Sequence, residues 1–83
     1  MQVNVKLFGA LREYLPAGSG FNSCELTTGE GPMLSEVLQL LPIPDRKAYL
    51  VILNDKKINK QDYESTRLKE NDEVVLLPPI KGG

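Results

Sequence analysis

The sequence has 83 residues, with ten basic and eleven acidic side chains and a formal net charge of −1. A chain of this length predicts one domain, and its balanced charge argues against a nucleic-acid partner, because no broad positive field can collect phosphates. One cysteine and no histidine exclude an internal disulfide, and they exclude ordinary zinc sites and Cys-His catalysis built from this chain alone.

The N-terminus predicts a strand with one buried face. Val3, Val5 and Leu7 alternate with polar residues, and this period of two is typical of a half-buried strand. Phe8 places an apolar group on the opposite face, and Gly9 ends the run.

Two further elements follow this strand. Residues 10–15 predict a short helical segment with one apolar side, which Pro16 ends. A glycine-rich turn comes next, and residues 22–28 predict a second strand with Cys24 and Leu26 on the same face.

The middle of the chain predicts the main helix, about three turns long. Pro32 suits its first position, where a backbone N–H is not needed, and Pro42 ends it. Its apolar residues recur at helical spacing, and they are Met33, Leu34, Val37, Leu38 and Leu41.

The C-terminal half predicts three strands of unequal length. The apolar run 49–53 predicts a strand that ends at a turn, and the polar stretch 56–71 predicts one very short edge strand. Residues 73–77 are apolar on both faces, which predicts a central strand that is covered on both sides. Pro78 and Pro79 end this strand, because proline cannot donate a hydrogen bond to a neighbouring strand.

These elements predict an α+β fold, with a mixed sheet of four to five strands and one main helix packed on one face. Placing the last strand parallel to the first uses the helix within the required crossover, which is the β-grasp arrangement of ubiquitin-like proteins. We expect residues 1–79 to form this domain and residues 80–83 to form a flexible tail. The predicted core comprises Val5, Leu7, Leu26, Leu34, Val37, Leu38, Val51, Leu53, Val74 and Leu76.

The end of the sequence is the candidate for chemistry. Pro78 and Pro79 favour an extended stem, and Gly82 and Gly83 are slender because they lack a Cβ atom. Residues 78–83 could therefore project up to ~20 Å, into a narrow channel of a partner. Another enzyme could use ATP to activate the terminal carboxylate as an acyl-adenylate, which a sulfur donor would convert to a thiocarboxylate. A frayed terminus without function is the alternative.

Both ends of the sequence resemble one protein family. Residues 72–83, Asp-Glu-Val-Val-Leu-Leu-Pro-Pro-Ile-Lys-Gly-Gly, resemble the C-terminal signature of the MoaD/ThiS sulfur carriers, which are ubiquitin-like proteins. Residues 5–13, Val-Lys-Leu-Phe-Gly-Ala-Leu-Arg-Glu, resemble the opening of the molybdopterin-synthase small subunits within that family. Leu77 stands where the family often has an aromatic residue, and Lys81 stands where a smaller residue is common.

The resemblance implies a sulfur carrier that acts as the non-catalytic small subunit of molybdopterin synthase. A ubiquitin-activating-like adenylyltransferase would use ATP to charge Gly83, and a sulfur donor protein would complete the thiocarboxylate. Gly82 would let the tail enter the larger subunit, which would transfer the sulfur to a molybdopterin precursor within a heterotetramer. The chain itself would bind no cofactor and no metal. The resemblance places Phe8, Arg12, Leu77, Pro79, Ile80 and Lys81 on the docking surface.

Several features have alternative interpretations. Cys24 lies on the predicted apolar face, which favours a buried and inert thiol over a sulfur acceptor. Phe8, Val75 and Leu77 form an outward apolar set, which we expect to be a partner site because exposed patches often mark one. The alternative functions are a sulfur carrier for thiamin thiazole, a protein modifier joined to lysines through Gly83, and an interaction module with an inert tail.

No part of the sequence predicts a membrane segment or a signal peptide. The longest apolar runs are too short to cross a bilayer, and the N-terminus alternates instead of forming an apolar block. Together with the lone cysteine, these features predict a cytoplasmic protein with no membrane partner.

Overall fold

The computed structural model describes residues 1–44 and 46–79, in which five strands form one mixed sheet. The strands are β1 (Gln2–Leu7), β2 (Ser23–Thr27), β3 (Leu50–Leu53), β4 (Lys56–Ile58) and β5 (Glu73–Leu77). Their order across the sheet is β2-β1-β5-β3-β4, with β1 and β5 parallel and the other neighbours antiparallel. The helices of this part of the chain are α1 (Leu34–Gln39) and two 3₁₀ helices, Gly9–Tyr14 and Lys60–Asp62. The predicted α+β fold with a β-grasp sheet is therefore confirmed.

β5 is the central strand, because it pairs with β1 on one side and with β3 on the other. Val74 and Leu76 are fully buried in the core with the residues of α1. Val75 and Leu77 point to the other side of the sheet, where they are half-buried, because successive side chains leave a strand on opposite faces. We call this side, which α1 leaves uncovered, the open face.

The core lies between α1 and the covered face of the sheet. Its buried hydrophobic residues are Val3, Val5, Leu7, Leu11, Leu34, Val37, Leu38, Leu41, Val51, Leu68, Val74 and Leu76. Two predicted core residues, Leu26 and Leu53, are only half-buried. Leu26 lies in the edge strand β2, and Leu53 is the last residue of β3 before a turn, so neither has neighbours on every side.

The α-helix is shorter than predicted. It spans Leu34–Gln39, so it makes fewer than two turns instead of about three, and Pro32 lies outside it. The carbonyl oxygen of Pro32 accepts a hydrogen bond from the Leu68 N–H at 2.8 Å, and the Leu34 N–H donates to the Thr66 carbonyl at 2.7 Å. These bonds to a segment far along the chain keep the backbone extended before Leu34, and this delays the start of the helix.

The helical segment predicted at residues 10–15 is the 3₁₀ helix Gly9–Tyr14. Leu11 is buried in the core, whereas Arg12 and Glu13 are exposed, so the segment has one apolar side, as predicted.

A tight hairpin closes the other side of the sheet. Asn54 and Asp55 have positive φ angles of 48° and 72°, the conformation that the commonest two-residue hairpin turns require. β4 follows this turn and forms one edge of the sheet, which confirms the short edge strand predicted in the polar stretch.

Within the described part of the chain, no helix is long and apolar enough to cross a membrane. The predicted tail, residues 80–83, lies outside that part, so the boundary at residue 79 stays a prediction.

Candidate functional site

One end of the sheet brings together the features predicted for function. β1 and β5 are parallel and both end there, while β2 and β3 run in the opposite direction and both begin there. Leu77, the last residue of β5, is therefore paired with Leu50 and lies on the same end as Phe8. We call this the tail end of the sheet, because β5 leads to the C-terminal residues.

An apolar strip lies on the open face and runs to the tail end, and it consists of Phe8, Leu50, Ile52, Val75 and Leu77. Leu50 is paired with Leu77, and Ile52 is paired with Val75, across β3 and β5. Phe8 continues the alternation of β1, since its backbone is extended (φ −114°, ψ 159°) and its N–H donates to a β5 carbonyl at 3.1 Å. All of these side chains are half-buried. The predicted outward set therefore lies on the open face, and it is wider than predicted.

Charged residues border the strip on both sides. Lys6 in β1 lies opposite Val75, and Lys57 in β4 lies opposite Ile52. The Nζ atom of Lys6 is 3.2 Å from Oε2 of Glu73, and these side chains are 41% and 40% exposed, so water screens the ion pair. An apolar centre with a charged rim is the pattern of a protein–protein interface.

Gly9 and Pro78 are in close contact at the point where the chain leaves β5. Gly9 has φ +59°, and a Cβ atom built on it would lie 2.8 Å from Cγ of Pro78. Glycine is required here both because its backbone is left-handed and because the proline ring occupies the space of a side chain. The stem that begins at Pro78 is thus packed against the first residue of the 3₁₀ helix Gly9–Tyr14.

Arg12 and Phe21 form a stacked pair beside this contact. The Arg12 guanidinium carbon lies 4.3 Å from the centroid of the Phe21 ring, within the range of a cation–π interaction. The Nε–H of Arg12 also donates to the carbonyl oxygen of Gly9, at 3.4 Å. Phe21 belongs to the turn before β2, and the backbone of that turn is bonded to the end of β1.

The structure brings several of the predicted docking residues together. The described members at the tail end are Phe8, Arg12, Leu77 and Pro79. The remaining predicted site residues, Ile80, Lys81, Gly82 and Gly83, lie outside the described residues. The roles of both groups stay predictions.

The other candidates for chemistry among the described side chains are metal ligands, a cavity and a thiol. No group of three His, Cys, Asp or Glu side chains in residues 1–44 and 46–79 could hold a metal ion. A cavity of about 480 Å³ beside α1 is lined by residues such as Lys60 and Tyr63, and no described thiol or carboxylate lines it. Burial raises the pKa of the Cys24 thiol, and a hydrogen bond with Ser19 opposes this effect more weakly. The thiol is half-buried and not fully buried as predicted, because β2 is an edge strand, and its raised pKa disfavours the nucleophilic thiolate.

The sequence-based prediction missed three residues of this surface. Leu50 and Ile52 had a readable signal, because a strand that is apolar at every position must present alternate side chains to both faces. Phe21 had none, since it is an isolated aromatic residue beside a glycine-rich turn. Only the pairing of β1 with β2 brings it to the tail end.

Known proteins resemble this chain over its full length. A ThiS family model matches residues 5–83. The chain is 32% identical over 89 aligned positions to the molybdopterin synthase sulfur carrier subunit of Chlamydomonas reinhardtii, with 100% of both sequences covered. It is also similar to a chain of the complex of subunits 1 and 2 of molybdopterin-converting factor from Helicobacter pylori 26695 (TM-score 0.66, 26% identity, 100% of both chains). The small archaeal modifier protein 1 of Methanosarcina acetivorans has a TM-score of 0.68 and 28% identity, over 99% of this chain and 96% of its own.

Proposed function

Because this chain belongs to the ThiS family, we propose that it is a sulfur carrier that donates sulfur from Gly83 as the small subunit of molybdopterin synthase. The Chlamydomonas reinhardtii relative, a molybdopterin synthase sulfur carrier subunit, supports this role. The structural observation that carries the proposal is the apolar strip, which adjoins the point where the chain leaves β5. A partner that docks on the strip would receive the residues that follow Pro79.

The proposed reaction requires little from the side chains of the carrier. In an adenylyltransferase, a carboxylate oxygen of Gly83 attacks the α-phosphorus of ATP and displaces pyrophosphate. The terminal sulfur of a donor protein's persulfide then attacks the acyl carbon and displaces AMP, which gives an acyl disulfide. A thiol attacks the donor's inner sulfur, which releases the thiocarboxylate and leaves a disulfide on the donor. The carrier contributes a rigid body for docking, a proline stem, and terminal glycines slender enough for a partner's channel. No cofactor bound by this chain takes part in this scheme.

We propose that the strip faces a larger synthase subunit. The Helicobacter pylori complex joins two subunits of molybdopterin-converting factor, which supports the same kind of pairing for this chain. We propose a heterotetramer as the assembly. In the complex that this chain would form with its larger subunit, Phe8 and Leu77 would supply apolar contacts, and Arg12 would supply a charged contact. The adenylyltransferase and the sulfur donor are proposed by class, and their use of ATP and reactive thiols favours a cytoplasmic location.

The decisive experiment measures whether the mass of the protein changes through modification of its C-terminal carboxylate. The chain is incubated with an adenylyltransferase of this family, ATP and a persulfide donor, and intact mass spectrometry should show one oxygen replaced by sulfur. A variant that lacks Gly83 should gain no sulfur, and a variant with one alanine appended after Gly83 should gain none either. Wild-type protein that stays unmodified with the adenylyltransferases of its own source organism would overturn the proposal.

A protein modifier is the second candidate, because the Methanosarcina acetivorans relative is a small archaeal modifier protein. In that case the adenylated Gly83 would be transferred to lysine amines, and slowly migrating conjugates would appear in cells that express the chain. These conjugates should vanish when Gly83 is deleted. Deletion of the gene separates the remaining alternatives, since loss of molybdoenzyme activity indicates the molybdopterin pathway and a thiamin requirement indicates the thiazole pathway.

A further inference from the structure

An exposed aromatic residue lies beside the tail end but outside the apolar strip. Phe21 is 82% exposed, compared with 54% for Leu40, the other large hydrophobic residue exposed among the described residues. Single hydrophobic residues on a surface are common and need no special explanation. Phe21 differs because a guanidinium group is stacked on its ring, at 4.3 Å from the centroid.

Two contacts hold the Arg12 side chain in place. The ring of Phe21 supports the guanidinium plane, and the carbonyl oxygen of Gly9 accepts a hydrogen bond from Nε at 3.4 Å. Neither contact uses the two terminal nitrogens, and no described carboxylate lies within ion-pair distance of them. A guanidinium in this state offers a fixed fork that matches the two oxygens of a carboxylate.

Gly9 connects this pair to the stem of the tail. The residue that accepts the Arg12 hydrogen bond is also in close contact with the ring of Pro78. Arg12 and Phe21 therefore lie next to the point where the chain departs from the sheet, and a protein that encloses the tail must pass close to them.

We infer that Phe21 is a positioning residue for Arg12, and that the two form a second docking element beside the apolar strip. The occupant is an acidic site on the larger synthase subunit, in which an Asp or Glu carboxylate binds Arg12 and an apolar rim covers the ring of Phe21. The inference rests on the proposed function. Charge favours this occupant, because the terminal nitrogens of Arg12 have no carboxylate partner among the described residues, whereas Lys6 is already paired with Glu73. Stacked arginine and aromatic residues are also the types that dominate binding energy at interfaces.

Calorimetric titration of the purified larger subunit from the same organism tests the inference. Phe21→Ala should weaken binding by at least about tenfold, as expected for loss of a major interface residue. Phe21→Trp preserves the stacking surface and should bind within about twofold of wild type. Arg12→Lys keeps the charge but loses the fork, so it should weaken binding about as much as Phe21→Ala does. The matched control is Leu40→Ala, which removes an exposed apolar side chain from the end of α1 and should not change affinity.

A double-mutant cycle distinguishes positioning from simple contact. If Phe21 acts through Arg12, the loss for Arg12→Gln combined with Phe21→Ala is smaller than the product of the two single losses. Phe21→Ala should also reduce the salt dependence of binding, because a loosely held guanidinium pairs less well with the carboxylate. Unchanged affinity of Phe21→Ala, or losses that multiply with unchanged salt dependence, would overturn the inference.

Failure of this inference can be told from failure of the proposed function. Wild-type protein that binds the larger subunit and acquires the thiocarboxylate, together with Phe21→Ala protein of equal affinity, rejects only the second docking element. Wild-type protein that neither binds that subunit nor acquires sulfur rejects the proposed function itself. Thermal unfolding should give the same midpoint for Phe21→Ala and wild type, since the ring is mostly exposed.

Discussion

Replacement of Gly9 by alanine tests whether the body of the domain directs the stem of the tail. The φ angle of +59° at Gly9 is left-handed, and an L-residue pays about 1–2 kcal/mol for it. The new Cβ atom would lie 2.8 Å from Cγ of Pro78, so the proline must move. Since Pro78 is exposed, moving it should cost about 1 kcal/mol, near the lower end of the range for overpacking. Together with the backbone contribution, the free energy of unfolding should fall by about 2–3 kcal/mol. For a domain of this size, that loss lowers the unfolding midpoint by roughly 10–20 °C.

Two other glycines provide controls for this variant. Gly18 has φ +86°, and a Cβ atom added there would meet no other atom within 4 Å, so Gly18→Ala should lose only the backbone contribution of about 1–2 kcal/mol. Gly29 has neither a positive φ angle nor a close neighbour, so the Gly29→Ala variant should be about as stable as the wild-type protein. Thermal unfolding followed by circular dichroism measures stability, and single-turnover sulfur transfer at low temperature measures function. If Gly9→Ala equalled Gly18→Ala in both assays, the contact with Pro78 would not direct the stem.

Further substitutions test the core, the ion pair and the thiol. Leu76→Ala should lower the free energy of unfolding by about 2–5 kcal/mol in urea, because its side chain is fully buried; Leu77→Ala should cost less stability but weaken binding of the larger subunit, and the reverse order would refute the face assignment. Glu73→Gln should cost less than about 1 kcal/mol, and concentrated salt should remove that cost, because the pair with Lys6 is exposed; a cost that persists in salt would contradict a screened pair. Burial raises the pKa of Cys24 in the folded state, so its contribution to stability is complete below the ordinary thiol pKa and is lost as the pH rises through the raised value. Cys24→Ser should therefore flatten the alkaline loss of stability in unfolding curves, and identical curves would exclude the thiol as the cause.

The last strand and the helix show which features of this fold local sequence patterns predict correctly and which they do not. Residues 73–77 form β5 as predicted, because an apolar run bounded by a polar turn and two prolines admits few other structures. The α-helix instead begins at Leu34, after the start that Pro32 suggested. The cause is a set of hydrogen bonds to residues 66–68, and no periodicity near Pro32 could show them.

Part of the candidate site was likewise predictable from the sequence, and part was not. The outward positions of Phe8, Val75 and Leu77 were predictable, because a strand alternates its faces whatever lies beside it. The addition of Leu50 and Ile52 to the strip depends on β3 pairing with β5, which is a fact of topology.

The sequence by itself determined the element order, the central last strand, the family and the position of the C-terminal glycines, because periodicity, proline placement and motif spacing are local properties of a chain. Only the tertiary structure decided that Gly9 meets Pro78 and that Arg12 stacks on Phe21 beside them. Gly9 and Pro78 belong to opposite ends of the chain, and the parallel pairing of β1 with β5 joins them. Contacts of this kind depend on which strands become neighbours, and that choice is made by burial of the whole core.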